Sequence, residues 1–370
     1  MELEFCAPCL FGLEGPLGNE LRHMDMITVS PENGRVYFTG GEDAMARANL
    51  RSRFAERILL VMGRFDAPTF DALFEGVRAL PWENHIPKNG AFPVTGTSLE
   101  SALHSVPDCQ RIVKKALAER LKTVYGGDWL PEDGAEYPVR FFIMKDRAVL
   151  YIDTSGTALH KRGYRPAGVA APLRETLAAA IVDIARYRGR GDFCDPFCGS
   201  GTIAIEAALA AKNRAPGIAR SFLAENWSRT DRGIWKRERE AARAREYNGE
   251  YRIFASDIDP KAVATARANA ARAGVEDLIG FSVADARNFS RATDDGTLCT
   301  NPPYGERLME KESAGELYRA FGKALRAQPN WKSYIISSHE QFENCFGRRA
   351  DKSRRLYNGM IPCRLFMYYK

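Results

Sequence analysis

Hydrophobic and polar positions form two different patterns along the chain, and the change between them lies near residue 155. In the first part, short alternating stretches typical of strands are interleaved with amphipathic helical stretches. Residues 27–38 predict a hairpin around Glu32-Asn33-Gly34, because Asn-Gly tolerates the positive φ of a tight turn. The order of elements over residues 1–65 predicts a ferredoxin-like α+β domain. Asp43 is predicted to cap a helix that runs to about Glu56.

Residues 66–155 form a second α/β stretch with helical spacing at 69–80, a long helix at 108–125 and a final hairpin that turns at Lys145-Asp146. One face of the long helix is strongly basic. Taken alone, such a run of charge is ordinarily a solvated surface, and that is the interpretation we favour at this point. The basic residues of that face are Arg111, Lys114, Lys115, Arg120 and Lys122.

From residue 167 the pattern changes to an alanine-rich helix at 172–187, followed by strands that alternate with helices to the end. This alternation predicts an α/β fold with a parallel, Rossmann-like sheet covered on both faces. The predicted domains are therefore 1–65, 66–155 and 189–370, with a connecting segment and helix at 156–188. Ligands bind at the carboxyl ends of strands in such sheets, so the residues that follow each strand are the first candidates for a site.

The first such strand end is a glycine-rich loop that runs from Asp195 to Thr202. Its glycines allow a tight turn and a close approach to a ligand, and the helix that follows attracts an anionic group at its N-terminus. Asp195 could hold an amine, so the loop suits the two charges of a methionine moiety. A phosphate-binding P-loop is excluded because no Lys follows Gly201. A dinucleotide fingerprint stays open, since Ala204 stands where a third glycine is usual.

Acidic residues follow the next two predicted strands. Asp257 ends the strand at 254–257 and is assigned to ribose hydroxyls, while Asp259 could instead cap the following helix. Asp285 follows the strand at 279–283, where it could accept a hydrogen bond from an adenine amino group. A single acid of this kind is as often a helix cap as a ligand. Three acids at three successive strand ends indicate a nucleoside cofactor with a methionine moiety, S-adenosylmethionine.

The motif Asn301-Pro302-Pro303-Tyr304 follows a further predicted strand at 296–300. The two prolines fix φ and remove two backbone donors, so carbonyl acceptors are presented without competing N–H groups. An amino group on a nucleic-acid base is a poor nucleophile because its lone pair is delocalised into the ring. Acceptors at the Asn301 side chain and the Pro302 carbonyl would turn that lone pair toward an electrophilic methyl group. Tyr304 would provide a face on which an extruded base stacks.

The composition indicates where the protein is located and which kinds of partner it can bind. A chain with 45% hydrophobic and 27% charged residues is ordinary for a soluble enzyme. The longest apolar stretch, 177–182, is far shorter than the ~20 residues of a bilayer span, and the first residues do not resemble a signal peptide. We therefore expect a cytoplasmic protein without membrane contacts. The net charge of +6 permits a polyanionic partner without requiring one.

The eight cysteines include one Cys-x-x-Cys pair, Cys6 and Cys9. A second pair or a nearby His would be needed to complete a tetrahedral metal site, and the sequence around this pair has neither. Reduced, mostly buried thiols and no bound metal are expected.

Several motifs together resemble the family of RNA methylases that includes bacterial 23S rRNA guanine-N2 methyltransferases, and the likeness covers nearly the whole chain. It depends chiefly on the loop at 195–202 and on the motif at 301–307. Residues 92–95 and 105–110 resemble the THUMP domain of that family, an RNA-binding module. Residues 159–165 with 171–175, and 355–360, resemble its segment before the first sheet strand and its closing hairpin.

The resemblance implies a role for each of these sites. The residues implied to bind S-adenosylmethionine are Pro172, Leu173, Asp195, Phe197, Gly199, Gly201, Thr202, Asp257, Ile258 and Asp285. Those implied to hold the base are Asn301, Pro302, Pro303 and Tyr304. Those implied to contact RNA are Lys114, Lys115, Lys161, Arg162 and Arg165.

The expected function is thus transfer of a methyl group from S-adenosylmethionine to the N2 amino group of a guanine in 23S rRNA or its precursor particle, with no obligate protein partner. Enterobacterial relatives carry a second methyltransferase domain that this chain lacks, so a single modification is expected. One alternative is a DNA adenine-N6 or cytosine-N4 methyltransferase, since those enzymes also use Asn-Pro-Pro-Tyr. Another is an RNA-binding or assembly factor that keeps the fold without turnover.

Overall fold

The computed structural model describes residues 2–166, 173–304, 308–359 and 361–369, which fold into two seven-stranded sheets with helices packed against them. The first sheet and its helices are β1 (Leu3–Pro8), α1 (Glu14–Arg22), β2 (Val29–Glu32), β3 (Arg35–Gly40), α2 (Glu42–Arg51), β4 (Leu59–Asp66), α3 (Phe70–Ala79), β5 (Val94–Leu99), α4 (Val106–Tyr125), β6 (Val139–Met144) and β7 (Arg147–Asp153). The second sheet and its helices are α5 (Glu175–Ile184), β8 (Asp192–Asp195), α6 (Thr202–Ala211), α7 (Arg232–Ala244), β9 (Arg252–Asp257), α8 (Pro260–Ala273), β10 (Ile279–Val283), β11 (Asp295–Thr300), α9 (Leu308–Arg326), β12 (Asn330–Ser337), α10 (Phe342–Phe346), β13 (Lys352–Asn358) and β14 (Ile361–Tyr368).

The first four strands confirm the ferredoxin-like prediction. They occur in the order β2-β3-β1-β4 with antiparallel neighbours, and α1 and α2 are the two helices of the motif. Phe5 of β1 and Phe38 of β3 are buried opposite each other with ring centroids 5.2 Å apart. The predicted cap of α2 is wrong, however. Gly41, in an extended conformation, precedes the helix, and Asp43 lies in its first turn, where it pairs with Arg47 at 3.0 Å.

The first sheet continues without a break past residue 65, from β4 into the strands of the second α/β stretch. Leu59 to Asp66 pair antiparallel with β7, and the sheet then runs on through β6 to β5. This pairing continues to Asp66, with an irregularity between Val61 and Gly63. The two amino-terminal segments therefore share one sheet.

The second sheet confirms the Rossmann-like prediction. Its strand order is β10-β9-β8-β11-β12-β14-β13, with the first five strands parallel and β14 antiparallel to β12. The alanine-rich helix α5 and the apolar helix α6 are buried almost throughout. A helix that is apolar on all sides is stable only when other elements pack against all of its sides. The amino-terminal domains form part of that packing.

The segment at 213–235, to which the sequence assigned no role, joins the second sheet to both amino-terminal parts. Gly217 N–H donates to Leu50 O at 2.9 Å in the ferredoxin-like domain. Trp227 stacks on Tyr137 with ring centroids 4.9 Å apart, and its Nε1–H donates to Glu136 O at 2.9 Å. The methyl-transfer half and the amino-terminal half are thus held in one orientation.

All eight cysteines are buried and carry no disulfide, as predicted. Burial raises the pKa of Cys6 and of Cys9 to about 12, so both thiols stay protonated at neutral pH. No helix in the described ranges is both long and apolar enough to cross a bilayer. Within the same ranges, no three His, Cys, Asp or Glu side chains cluster as metal ligands.

Candidate active site

A cleft of about 820 Å³ opens at the carboxyl ends of β8, β9, β10 and β11, which is the sheet edge that the sequence singled out. The tip of the β13–β14 hairpin, with Asn358 and Ile361, closes one side of it. Most of the predicted cofactor and base residues meet in this cleft. They are Leu173, Asp195, Phe197, Gly199, Thr202, Asp257, Ile258, Asp285, Asn301, Pro302, Pro303 and Tyr304.

Asp195, at the end of β8, is the most deeply buried acid of the cleft, with 1% of its surface exposed. Its Oδ1 accepts hydrogen bonds from Thr300 Oγ1 at 2.7 Å and from Phe197 N–H at 3.3 Å. Burial, with a smaller contribution from the nearby Asp257, raises the pKa of Asp195 to about 7 although both hydrogen bonds oppose the shift. No cation pairs with this carboxyl group among the described residues. An ammonium group bound in the cleft would therefore lie beside Asp195, and its positive charge would stabilise the ionised form of that carboxyl group.

The two glycines of the loop have different roles. Gly199 has φ +50, and the space that a Cβ would occupy there is open, so the backbone leaves room for a ligand. Gly201 has φ +84, and a Cβ there would lie 2.9 Å from the Cβ of Ala266 in α8. The prediction that both glycines admit a ligand thus applies to Gly199 only. Gly201 is required for the packing of α6 against α8.

Asp257 and Asp259 are the two acids predicted to bind ribose hydroxyls and to cap the following helix. Asp259 Oδ1 accepts from Lys261 N–H at 2.8 Å and caps α8, so its predicted capping role is confirmed. Asp257 instead holds the glycine loop, because its Oδ2 accepts from Gly199 N–H at 2.9 Å. Each carboxylate oxygen can accept more than one hydrogen bond, so Asp257 keeps capacity for ribose hydroxyls.

Ile258 and Asp285 form the outer part of the cleft. Ile258 is 61% exposed, an apolar surface of the kind that an adenine ring covers. Asp285 accepts from Arg287 N–H at 2.9 Å and forms an ion pair with the Arg287 guanidinium at 2.5 Å. The hydrogen bonds from Arg287 lower the pKa of Asp285 and keep it ionised. Arg287 was not predicted from the sequence, because an arginine beside an acid is an ordinary surface pair.

The Asn301–Tyr304 motif follows β11 directly, as predicted. The Pro302 carbonyl accepts no hydrogen bond within the described part of the chain, so it is available to an amino group. The Pro303 carbonyl is occupied, since the buried Tyr318 hydroxyl donates to it at 2.5 Å. Tyr318 thus contacts the motif directly, and sequence analysis did not identify it because one tyrosine on an amphipathic helix looks like an ordinary core residue.

Tyr304, whose ring is predicted to be a stacking face for the base, is half-buried and lines the cleft. Its hydroxyl donates to Asn301 Oδ1, the oxygen predicted to accept from the base. The Cys363 Sγ is 4.0 Å from the same hydroxyl, and burial raises the pKa of Tyr304 well above its ordinary value. The tyrosine thus satisfies the Asn301 acceptor within the protein itself.

Two of the five residues predicted to contact RNA are buried and paired, so that part of the prediction is wrong. The Arg162 side chain is 2% exposed and lies 3.4 Å from the fully buried Glu206. Its guanidinium also donates to the Arg53 carbonyl at 2.6 Å, across the domain junction. The Arg165 side chain is 8% exposed and pairs with Glu175 at 2.5 Å. Neither guanidinium can reach a phosphate without leaving a buried carboxylate unpaired.

The other three predicted RNA contacts differ in exposure. Lys114 pairs with Glu132 at 2.5 Å and lies 3.5 Å from the centre of the Phe92 ring, so it is largely engaged within the protein. The Lys115 side chain is 68% exposed, and its nearest acid is 3.9 Å away. Lys161 is exposed. Pro172, predicted to touch the cofactor, lies outside the described residues.

Solved structures of other proteins share this fold over the full chain. A structure of SMU.472, a proposed methyltransferase complexed with SAH, is 38% identical and has a TM-score of 0.95, and the match covers 100% of this chain and 98% of that one. A protein of Listeria monocytogenes described as an N6-adenine-specific DNA methylase is 42% identical with a TM-score of 0.96, and the match covers 100% of this chain and 96% of that one. The sheet order, the acidic strand ends and the bound SAH of the relative define the class: an S-adenosylmethionine-dependent class I methyltransferase.

Family models match three consecutive parts of the chain. They are the RMKL-like methyltransferase domain over 162–366, the RlmL ferredoxin-like domain over 4–59 and the THUMP domain over 67–153. The chain belongs to this RMKL-like methyltransferase family. The proposed RNA methyltransferase YpsC of Bacillus subtilis is 45% identical over 97% of this chain and 94% of its own length. The ribosomal RNA large subunit methyltransferase K/L of Syntrophotalea carbinolica is 34% identical over 99% of this chain, which spans only 53% of that protein.

Proposed function

We propose that this methyltransferase transfers a methyl group from S-adenosylmethionine to the exocyclic N2 amino group of a guanine in 23S rRNA. The observation that carries the proposal is the placement of two acceptors, the Asn301 side chain and the Pro302 carbonyl, in the same cleft as Asp195 and Asp257. Acceptors of this kind suit an amino group, because they orient its hydrogens and leave its lone pair directed at the methyl donor.

The roles proposed for the cofactor residues follow their burial and charge. Asp195 binds the ammonium group, and the loop around Gly199 at the start of α6 receives the carboxylate. Asp257 accepts from the ribose hydroxyls, and Ile258 packs against the adenine, whose amino group donates to Asp285. When bound, S-adenosylmethionine supplies an electrophilic methyl group in the cleft.

The roles proposed for the base residues follow from the contact between Tyr304 and Asn301. A base amino hydrogen takes the place of the Tyr304 hydroxyl at Asn301 Oδ1, and a second hydrogen is accepted by the Pro302 carbonyl. The displaced tyrosine ring then becomes a surface on which the base stacks, an interaction of about 1–3 kcal/mol. Tyr318, through its bond to the Pro303 carbonyl, keeps the motif in place during this exchange.

RNA is favoured as the substrate by the amino-terminal half of the chain. The THUMP match, the names of the two relatives and the exposed Lys115 and Lys161 support it. The guanine and its N2 position are supported by the resemblance of the motifs to the guanine-N2 methyltransferases.

Transfer of tritiated methyl groups to rRNA from a strain without the gene tests the proposal. We expect incorporation into 23S rRNA from that strain, little incorporation into rRNA from the wild type, and N2-methylguanosine as the labelled product in nucleoside mass spectrometry. Labelling of DNA with none of RNA would contradict the proposal. That result would favour the DNA adenine-N6 or cytosine-N4 methyltransferase alternative, of which the description of the Listeria protein suggests the adenine-N6 form.

A further inference from the structure

A second cleft, of about 1020 Å³, lies between the ferredoxin-like domain and the methyltransferase domain. The ferredoxin-like side is formed by α1 and the end of α2, and the opposite side by the carboxyl ends of α5, α6 and α7. Because helices of a parallel α/β fold run opposite to its strands, these helix ends lie at the sheet edge remote from the cofactor cleft. The proposed methyl transfer makes no use of this space.

Arginine dominates the lining of this second cleft, which we call the arginine cleft. Its arginines come from both domains and outnumber its acids by six to three. The arginines are Arg51, Arg53, Arg186, Arg188, Arg245 and Arg354, and the acids are Glu20, Asp183 and Glu206.

Part of this charge is used within the protein. Arg188 pairs with Asp183 at 2.5 Å, and Glu206 pairs with the buried Arg162. Arg53 donates to the carbonyl oxygens of Leu209 and Arg214 at 3.3 and 2.9 Å and so caps the end of α6. Of these contacts, those of Arg53 join the two domains, and none of them involves Arg51, Arg186 or Arg245.

Arg51, Arg186 and Arg245 have neither an ion pair nor a side-chain hydrogen bond within the described ranges. Each lies at the carboxyl end of a helix, where the helix dipole offsets only about half a charge. Burial and the positive charge of Arg245 lower the pKa of Arg51, so the guanidinium groups repel one another. Burial raises the pKa of Glu20 to about 7, so at neutral pH this acid carries only part of a negative charge. The cleft thus has an excess of positive charge.

We propose that the arginine cleft binds phosphate groups of the RNA substrate, as a second contact at the sheet edge opposite the methylated base. The inference rests on the proposed function. An RNA strand suits this cleft better than a compact anion, because the unpaired arginines come from both domains. Tyr247, which also lines the cleft and is 61% exposed, offers a face for an unstacked base.

The test compares two double variants of the full chain that change the net charge equally. R186E/R245E reverses two exposed arginines of the cleft, whereas K323E/K332E reverses two exposed lysines of α9 and β12, outside it. Binding of unmodified 23S rRNA is measured over a series of salt concentrations. For R186E/R245E we expect at least tenfold weaker binding, and a slope of log affinity against log salt reduced by about 1.4, or about 0.7 for each RNA phosphate that the variant no longer neutralises. K323E/K332E should stay within about threefold of the wild type.

Calorimetry with SAH should give the same affinity for all three proteins, which shows that the variants fold. Equal RNA affinities and slopes for both variants would overturn the assignment of the cleft while leaving the proposed function intact. A wild-type protein that bound no RNA would overturn the proposed function and the cleft assignment with it. Binding of inorganic pyrophosphate that R186E/R245E abolishes, with RNA affinity unchanged, would identify a small phosphate compound as the ligand instead of RNA.

Discussion

The cofactor cleft and the arginine cleft lie at opposite edges of one sheet, and their unpaired charges have opposite signs. In the cofactor cleft, Asp195 is buried without a cation among the described residues. In the arginine cleft, Arg186 and Arg245 form no ion pair within the described ranges, although Glu20, Asp183 and Glu206 line the same cleft. The Arg162–Glu206 pair differs from both clefts, because its two opposite charges are buried and paired with each other. An unmatched charge at a cleft indicates the charge of its ligand, whereas a matched one indicates a structural contact.

The largest expected effect concerns the matched pair. Arg162→Ala leaves Glu206 buried without its partner, so we expect the free energy of unfolding to fall by about 3–5 kcal/mol. The double variant R162M/E206Q, which removes both charges, should lose much less. Urea denaturation followed by tryptophan fluorescence measures both. Unchanged stability of Arg162→Ala with weaker RNA binding would instead support the prediction from sequence that Arg162 contacts RNA.

The next effect belongs to the base site. Asn301→Ala removes one acceptor of the amino group, and we expect the methylation rate at saturating substrates to fall about 10²–10³-fold, the loss typical of one oriented polar group in an active site. SAH affinity in calorimetry should change less than about twofold. Asn330→Ala, at an exposed position at the start of β12, is the matched control and should keep full activity. A loss of SAH affinity with little change in rate would reverse the roles assigned to Asn301 and Asp257.

A smaller effect is expected at the ribose position. Asp257→Ala removes charge-assisted hydrogen bonds worth about 1.5–3 kcal/mol, so cofactor affinity should fall about tenfold to hundredfold. The rate at saturating cofactor should fall far less. Asp259→Ala is the control, since it removes only the cap of α8 and should cost about 1 kcal/mol of stability with no change in affinity. Equal losses of affinity in both variants would contradict the division of roles.

The final prediction is a pH dependence of cofactor binding. The pKa of Asp195 is about 7 because of burial, so the acid is neutral below that pH and ionised above it. Only the ionised form attracts an ammonium group. Cofactor affinity should therefore rise by up to about tenfold per pH unit as pH increases toward 7, and then level off. Calorimetry between pH values of about 5 and 8 measures this rise, and in Asp195→Asn it should be absent.

The cofactor cleft could be located from the sequence because each of its residues is identified by its immediate neighbours in the chain. Asp195, Asp257 and Asn301 each follow a strand directly, and the carboxyl ends of parallel strands necessarily meet at one edge. The ferredoxin-like order of the first four strands was also readable, since turns and periodicity specify each element where it stands.

Contacts between distant residues could not be read in this way. Arg162 and Glu206 are 44 positions apart and come together only when the connecting segment packs against α6, so the arginine looked like a surface residue. Gly201 looked like a ligand-binding glycine because the sequence does not show α8 behind it. The contact between Tyr304 and Asn301 depends on a side-chain rotamer, which no pattern of residue types specifies.

The continuous pairing of β4 with β7 has a consequence for substrate selection. Two modules built on one sheet cannot turn against each other, and Trp227 fastens that sheet to the catalytic half. If the proposed function holds, the distance between the RNA-binding surface of the amino-terminal half and the methylation site is fixed. The enzyme then selects its target base by the distance of that base from the bound RNA segment as well as by its chemistry.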